Sequence, residues 1–333
     1  MRDNSPHAGA AGEQMNGRPR SVPGLLDALL VTVTLGAVAV SALAMLAESF
    51  WMLELLTHFR LQYLAVQLPL LLICLWARRW LLLATLAPFT AVNGAAVAPY
   101  WPRESVVVAA PDAVEVMTAN LYGGNYEYSR FVDVVERERP DVLLLLEYNS
   151  RWASALGPFS AEYPHQIVAA REDYFGIALF SRVPLIRASV VDLLGVPAID
   201  ARLDLGANGA ARIIGVHFQP PMSAREAGER NAQLDLVGEL AIDESGPLIV
   251  AGDFNVTPYS PVLADWLERT DLTDARRGRG FGASWPSSLP FLGIPIDHVF
   301  ISEDFLVTAH YYGPAFGSDH YPVVTQISLR GEQ

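Results

Sequence analysis

The chain of 333 residues is long enough for two domains, or for one large domain with an appended region. It carries 23 basic residues, all of them arginine, against 36 acidic ones, and its net charge of −13 argues against tight nonspecific nucleic-acid binding. Because Cys74 is the single cysteine, an internal disulfide and a cysteine zinc site are both excluded.

The N-terminal third of the chain predicts a membrane region at residues 24–102. Residues 1–23 are rich in Gly, Pro, Asn and Arg and predict a disordered tail. Apolar runs suited to a bilayer follow at about 25–47, 61–77 and 80–98. One alternative for the first run is a cleaved signal peptide, with Ala42-Leu43-Ala44 as its site. For all three runs, the alternative is buried helices of a soluble domain.

The distribution of arginine predicts the orientation of these spans. Arg18 and Arg20 precede the first run, and Arg78-Arg79 separates the second from the third. Residues 48–60 carry no positive excess and predict an interfacial loop. The positive-inside rule places the tail and the double arginine in the cytoplasm. We therefore expect a multi-pass cell-membrane protein in which residues 103–112 link the last span to an extracytoplasmic domain.

Residues 113–333 predict an α/β domain with packed sheets, because short apolar strands alternate with helical segments. The predicted strands lie at 114–119, 141–147, 176–181, 211–217, 248–250, 296–301 and 323–329. Amphipathic segments at 128–139 and 224–240 predict helices.

Polar side chains stand where several of these strands end. After the buried run 248–251, Gly252 leads to Asp253 and Asn255, which point to the same side of an extended segment. A carboxylate that follows four leucines, as Glu147 does, is costly to bury unless it is paired or bound to metal. Turn-forming and structural roles are the ordinary alternatives. Since open sheets collect their sites at strand ends, we expect these residues to converge. The full set is Asn120, Glu147, His217, Asp253, Asn255, Asp297, Asp319 and His320.

The chain resembles the endonuclease/exonuclease/phosphatase superfamily, of the deoxyribonuclease-I-like fold, across residues 113–329. The resemblance implies a four-layer α/β sandwich, with two mixed sheets packed face to face and helices outside. It also implies cleavage of a phosphoester or phosphoanhydride with Mg²⁺, for which Mn²⁺ can substitute. Seven motifs carry it, in the family's order: Thr118-Ala119-Asn120-Leu121, Leu146-Glu147, 176–182, Val216-His217, 252–255, Ile296-Asp297-His298 and Ser318-Asp319-His320.

The resemblance implies a metal site built from oxygen ligands. Glu147 is the expected primary ligand, with Asn120 beside it, directly or through water. Asp319 is a further candidate ligand. Hard oxygen donors of this kind suit Mg²⁺, which takes few protein ligands and keeps several waters.

The resemblance also implies catalytic roles. Asp253 would position or deprotonate the attacking water, and Asn255 would orient that water and hold a phosphate oxygen. His320 would contact the phosphoryl group, and Asp297 would raise the pKa of its imidazole. His217 is a candidate acid for the leaving group.

Two further segments bear on the substrate. The cluster Arg276-Arg277-Gly278-Arg279-Gly280 predicts substrate binding through Arg276, Arg277 and Arg279, against a solvated loop as the alternative. Residues 284–295 form an apolar, proline-rich loop that is either buried packing or a lip touching lipid.

The preferred function is hydrolysis of a lipid-linked, polyprenyl-type phosphate of the cell envelope. The architecture is similar to membrane-anchored bacterial superfamily members linked to glycopeptide resistance, for which hydrolysis of an undecaprenyl-type pyrophosphate has been proposed. Expected partners are the bilayer and this substrate, with no tight nucleic-acid binding and no protein partner. The alternatives are an extracytoplasmic nuclease acting on DNA or RNA, and a non-catalytic membrane scaffold.

Overall fold

The computed structural model of the protein describes residues 24–103, 113–244 and 246–330. The predicted tail at 1–23 and residues 104–112 of the predicted linker lie outside the described residues. The first described part is helical, with α1 (Leu25–Ala44), α2 (Trp51–Leu55), α3 (Arg60–Trp76) and α4 (Trp80–Val97). Three segments are long and apolar enough to cross a membrane: Leu25–Ala44, Trp51–Trp76 and Trp80–Tyr100.

These membrane-length helices bury polar side chains against one another. Gln67 Nε2 donates to Ser41 Oγ at 2.8 Å, and Asn93 Nδ2 donates to Gln67 Oε1 at 3.0 Å. Arg60 Nη1 in turn donates to Asn93 Oδ1 at 2.9 Å. Large apolar side chains such as Leu72 lie on the outside. Helices in lipid associate in this way, because polar groups find partners only within the bundle.

An ion pair between Arg79 and Asp27 joins the turn after α3 to the start of α1. The double-arginine turn and the start of the first membrane helix therefore lie at one end of the bundle. The chain leaves α4 at the opposite end, from which it continues to the β-rich part.

Two six-stranded sheets form the rest of the described molecule. Their strands are β1 (Val114–Asn120), β2 (Val142–Leu146), β3 (His165–Ala169), β4 (Ile177–Ser181), β5 (Leu185–Leu193), β6 (Val196–Asp204), β7 (Ala210–His217), β8 (Leu248–Asp253), β9 (Thr273–Asp274), β10 (Asp297–Ile301), β11 (Phe305–Tyr312) and β12 (Val323–Leu329). The first sheet has the order β11-β12-β1-β2-β4-β3, and the second β5-β6-β7-β8-β10-β9.

The sheets pack face to face, and helices cover their outer faces. In β2, Leu144 and Leu146 face the second sheet, whereas Leu143 and Leu145 face the helices on the other side. The leucine run is thus buried on both faces, as its continuous hydrophobicity indicates. Helices α5 (Tyr128–Glu138) and α6 (Ser150–Ala155) cover the first sheet; α7 (Ala224–Ile242) and α8 (Pro261–Thr270) cover the second. The predicted four-layer sandwich is confirmed.

The hairpin of β5 and β6 is absent from the sequence prediction. Its two turn residues, Leu194 and Gly195, have φ of 59° and 88°. Tight hairpins of this type usually carry Asn-Gly or Asp-Gly at these positions. Because leucine occupies the first position, the local composition does not indicate a turn. In addition, β5 is largely exposed, so it lacks the alternation of apolar and polar residues that would predict a strand.

The segment predicted as an interfacial loop at 48–60 is largely helical and packs onto the β-rich part. Glu54 accepts hydrogen bonds from Arg230 Nη2 and from Ser260 Oγ, each at 2.6 Å. His58 Nδ1 lies 3.0 Å from Thr257 Oγ1. Polar side chains placed between two apolar runs therefore form a buried interface with the β-rich part.

Candidate active site

Strand pairing brings the predicted site residues to one end of the two sheets. Asn120 is the last paired residue of β1 alongside the parallel strand β2, and Glu147 follows β2 directly. In the second sheet, His217 lies opposite Asp253 in the parallel pair of β7 and β8. Asp297 lies opposite Asp253 on the antiparallel strand β10. The side chains that end these strands consequently meet.

The Asp253 carboxylate is the centre of this cluster. Its Oδ2 accepts a hydrogen bond from Asn120 Nδ2 at 3.3 Å. The same oxygen lies 3.6 Å from His217 Nε2 and 3.9 Å from His320 Nε2. Its Oδ1 accepts from the backbone N–H of Asn255 at 2.9 Å. One carboxylate therefore contacts four of the predicted site residues.

Burial and charge shift the pKa values of Asp253 and His320. Burial, and then the neighbouring Asp297 carboxylate, raise the pKa of Asp253 to about 8. Burial lowers the pKa of His320, but the Asp297 carboxylate, 2.7 Å from its Nδ1, and the Asp253 carboxylate outweigh this and raise it to about 10. His320 is thus an imidazolium at neutral pH, and Asp253 is a stronger proton acceptor than an ordinary aspartate.

His217 has the opposite character. Burial, followed by the positive charge of His320, lowers the pKa of His217 to about 4. Its ring lies 5.4 Å from the ring of Phe175, which closes one side of the imidazole. A neutral imidazole can donate a hydrogen bond to a leaving oxygen, but it carries no charge to neutralise that oxygen.

Three residues at the strand ends have a left-handed backbone. Glu147 and Asn255 have φ of 57° and 49°, values that non-glycine residues rarely adopt. Gly252 has φ of 137°, and a Cβ there would lie 1.9 Å from the carbonyl oxygen of Val216. Such conformations persist where the surrounding structure holds them, and they concentrate at functional sites.

The residues predicted to bind metal suit a hard divalent cation. Glu147 Oε2 accepts from the backbone N–H of Gly123 at 2.7 Å, which leaves its other oxygen available. Burial raises the pKa of Glu147, and the Asp319 charge raises it further. Asp319 Oδ1 is buried with no hydrogen-bond partner among the described residues. With Asn120 they form a set of oxygen donors, and a cation would relieve the mutual repulsion of the two carboxylates.

A second group could also hold a divalent ion. Asp253, Asp297 and His320 each place one ligand atom within 4.8 Å of the others. In this group, however, His320 Nδ1 is already paired with Asp297 Oδ2 at 2.7 Å. The oxygen donors around Glu147 are therefore the better fit for a hard divalent cation, and the Asp297–His320 pair keeps a positive charge in the site.

Two serines that the sequence analysis gave no role hold the site together. Ser318 Oγ donates to the Asn120 carbonyl at 2.7 Å and accepts from the His320 N–H at 3.0 Å. Ser284 Oγ accepts from the backbone N–H groups of Ile296 and Asp297, both at 3.1 Å. Ser318 lies inside the Ser-Asp-His motif and could have been singled out there. Ser284 has no local sequence signal.

The cluster opens into a cavity of about 480 Å³. Its polar wall contains the residues predicted for metal binding and catalysis, except Asp297, which faces His320 instead. The lining also includes apolar residues, among them Leu55, Phe59, Pro220, Pro221, Met222 and Ile294. Leu55 and Phe59 belong to the candidate membrane span Trp51–Trp76.

The three arginines predicted to bind substrate lie elsewhere. The described residues that line the cavity include neither Arg276, Arg277 nor Arg279. Arg276 is buried with its guanidinium 4.1 Å from the centre of the Tyr100 ring. Arg279 donates to backbone carbonyls, among them that of Val307.

The arginine loop instead packs against the C-terminal end of the third membrane-length helix. The N–H of Gly278 donates to the Pro99 carbonyl at 2.9 Å, and the N–H of Gly280 donates to the Tyr100 carbonyl at 3.0 Å. The backbone amides of these two glycines, expected from the sequence to approach an anion, thus bond to carbonyl oxygens of the chain itself.

Comparison with known proteins identifies the family. Residues 117–320 match the model of the Endonuclease/Exonuclease/phosphatase family, which is more than half of the chain. The chain therefore belongs to this family, whose members are phosphoesterases and nucleases and generally use divalent metals. No curated protein matches the sequence.

Solved structures share the fold. An endonuclease/exonuclease/phosphatase from Beutenbergia cavernae DSM 12333 is 23% identical with a TM-score of 0.56, covering 66% of this chain and 72% of that one. D. rerio TDP2, complexed with a single-strand DNA product, is 15% identical with a TM-score of 0.55, covering 65% and 99%. A mannosyl-6-phosphatase from Bacteroides thetaiotaomicron VPI-5482 is 17% identical with a TM-score of 0.51, covering 65% and 100%.

Proposed function

We propose that this member of the endonuclease/exonuclease/phosphatase family hydrolyses a phosphoester or phosphoanhydride of a lipid, preferably a polyprenyl-linked phosphate of the cell envelope. The observation that carries the proposal is the shared lining of one cavity. His320 and Asp253 line it together with Leu55 and Phe59, which belong to a candidate membrane span. A substrate with an anionic head and an apolar chain matches both kinds of lining residue.

Each polar residue has a role in this proposal. The Mg²⁺ expected at Glu147, Asn120 and Asp319 would neutralise charge on the phosphate oxygens when bound. Asp253 accepts a proton from water in its ionised form, for which its raised pKa makes it a stronger base, and the His320 imidazolium stabilises charge that develops on the phosphoryl oxygens. No covalent intermediate is needed, so water attacks phosphorus in line.

The remaining two side chains complete the polar wall. The amide of Asn255 is fixed by donating from Nδ2 to the Phe218 carbonyl at 2.8 Å, which favours a role in orienting water over free movement. His217, neutral at physiological pH, would donate a hydrogen bond to the leaving oxygen. The sequence predicts an acid for the leaving group at this position, and a neutral imidazole serves that role through its N–H.

The apolar loop before Asp297 supports a lipid substrate. Phe291 is 73% exposed, and Leu289 and Leu292 are each 46% exposed. Gln62 Nε2, in the first turn of α3, donates to the Gly293 carbonyl at 2.8 Å, so the loop lies beside a candidate membrane span. The alternative of a lip touching lipid is therefore favoured over buried packing.

The proposed site lies outside the cytoplasm. The Arg79–Asp27 pair marks one end of the helix bundle, and the β-rich part joins at the other end. Because arginine-rich loops stay in the cytoplasm, this arrangement supports an extracytoplasmic active site. A link to glycopeptide resistance rests on the architectural resemblance alone.

The test is a comparison of three substrates with purified full-length protein and Mg²⁺: a polyprenyl pyrophosphate, duplex DNA and a phospholipid. We expect phosphate release from the polyprenyl substrate, and its loss in Asp253→Ala and His320→Ala. Asp243→Ala, which removes an exposed carboxylate at the end of α7, is the control and should keep full activity. Turnover of DNA alone would replace the proposal with the nuclease alternative, and turnover of none would favour the scaffold.

A further inference from the structure

We infer that Glu54, which precedes the second long apolar run, is a positioning residue for the catalytic turn at Asp253–Asn255. Nothing in the site's own motifs points to this residue. It acts through Arg230 of α7, which is 0% exposed and lies between Glu54 and the turn. The inference concerns a distant group that holds the site, and it does not depend on which phosphoester is the substrate.

Arg230 connects the membrane-side segment to the backbone of the turn. Its Nη2 donates to Glu54 Oε2 at 2.6 Å, and its Nη1 donates to the carbonyl of Asn255 at 3.3 Å. Its Nε donates to Asn231 Oδ1 at 2.7 Å. The planar guanidinium has little rotational freedom once these bonds are made, so fixing one edge of it fixes the others.

The other oxygen of Glu54 holds the far end of the same loop. Oε1 accepts from Ser260 Oγ at 2.6 Å, and Ser260 caps α8 by accepting from the N–H of Val262 at 3.2 Å. Between Asn255 and Ser260, Thr257 Oγ1 lies 3.0 Å from His58 Nδ1. A single helical segment thus contacts Thr257 and Ser260 directly and reaches Asn255 through Arg230.

The turn needs such support. Asn255 has φ of 49°, a left-handed conformation that a non-glycine residue keeps where the surrounding structure holds it. The N–H of Asn255 is bonded to Asp253 Oδ1, so a shift of this residue also moves the proton-accepting carboxylate. Small displacements of catalytic groups reduce turnover strongly, because the reacting geometry is narrow.

The protein provides a matched comparison for a buried pair without this role. Arg212 and Asp200 form a bidentate pair at 2.9 and 3.1 Å, and both are nearly buried. Arg212 lies near the start of β7, at the opposite end of that strand from His217. Removing either acidic partner takes the nearest carboxylate away from a buried arginine, so both changes should lower stability. Only the loss of Glu54 should affect the turn at Asp253–Asn255.

The experiment uses the full chain in detergent and compares Glu54→Gln with Asp200→Asn. The probe for turnover is bis(4-nitrophenyl) phosphate with Mg²⁺, measured well below the Tm of each variant. We expect Glu54→Gln to lower kcat about tenfold with KM within about twofold, and Asp200→Asn to leave both unchanged. Hydrogen exchange at residues 254–260 should become about tenfold faster in Glu54→Gln only.

A double variant, Glu54→Leu with Arg230→Met, separates positioning from stability. It removes both charges, so stability should recover relative to Glu54→Gln while kcat stays low and exchange stays fast. Wild-type kcat and exchange in this variant would overturn the inference, as would equal losses of kcat in Glu54→Gln and Asp200→Asn. If the wild type does not hydrolyse the probe, the proposed function is in doubt, and the exchange measurement alone decides on Glu54.

Discussion

Burial acts in opposite directions on the ionisable groups of the site. It raises the pKa of Asp253 and lowers that of His217, because in each case it disfavours the charged form of the group. His320 escapes the same effect only because two carboxylates face it. The site therefore holds an imidazolium, His320, beside a neutral imidazole, His217. The two side chains are chemically identical, and their different surroundings give them different charges.

The paired imidazolium predicts a dependence of stability on pH. The pKa of His320 is about 10 in the folded protein, and about 6.5 is usual in an unfolded chain. The stability that the charged His320 contributes to the folded protein is fully present below about pH 6.5 and is lost as pH rises through 10. Between pH 7 and 10, with EDTA present, the Tm of the wild type should fall more steeply than that of His320→Gln.

His165→Gln is the control for this measurement, because His165 lies in β3 and does not line the cavity. It should keep the wild-type slope. The same slope in His320→Gln as in the wild type would show that the pair with Asp297 does not set the pH response.

At Gly252, even the addition of a methyl group should lower the stability of the protein strongly. Gly252→Ala would place a Cβ 1.9 Å from a backbone carbonyl at φ of 137°, and it should lower the free energy of unfolding by about 3–5 kcal/mol. Gly228→Ala, in the exposed face of α7 with nothing within 4 Å of its Cβ, should raise it by about 0.5–1 kcal/mol. Thermal unfolding in detergent compares them, and equal Tm values would refute the close contact.

At the level of elements, strands that are buried on both faces could be predicted, and so could the residues that end them. The four leucines Leu143–Leu146 predict a strand buried on both faces. Glu147 stands out because it places a carboxylate directly after them. The local sequence does not predict the helices at 48–60, nor the contacts that the arginine loop makes with the end of α4. Their side chains contact residues far along the chain, as in the Glu54–Arg230 bond across 176 positions, and no local pattern encodes such contacts.

The apolar loop beside α3 predicts insertion into lipid. With Cys74 changed to alanine, Phe291→Cys can carry a nitroxide label in reconstituted vesicles. The label should be accessible to oxygen and shielded from a water-soluble nickel complex. Ile186→Cys, at the end of β5 remote from the site and 59% exposed, is the control and should show the reverse. Equal nickel accessibility at both positions would place Phe291 in water.

At the level of the whole molecule, the orientation of the three membrane-length helices decides which compartment the site faces. A phosphatase reporter active only outside the cytoplasm, fused after Gln333, should be active, and the same reporter fused after Arg79 should be silent. Activity in the second fusion with silence in the first would place the site in the cytoplasm and remove the envelope substrate.

The mixed lining of the cavity also bears on how the protein can be purified. An amphiphile with a phosphate head and an alkyl tail offers both groups that the cavity walls would bind. A phosphocholine detergent at micellar concentration would then act as a competitive inhibitor, whereas an alkyl maltoside, which lacks the phosphate, would bind the apolar wall alone. The choice of extraction agent would therefore decide whether an activity is seen at all.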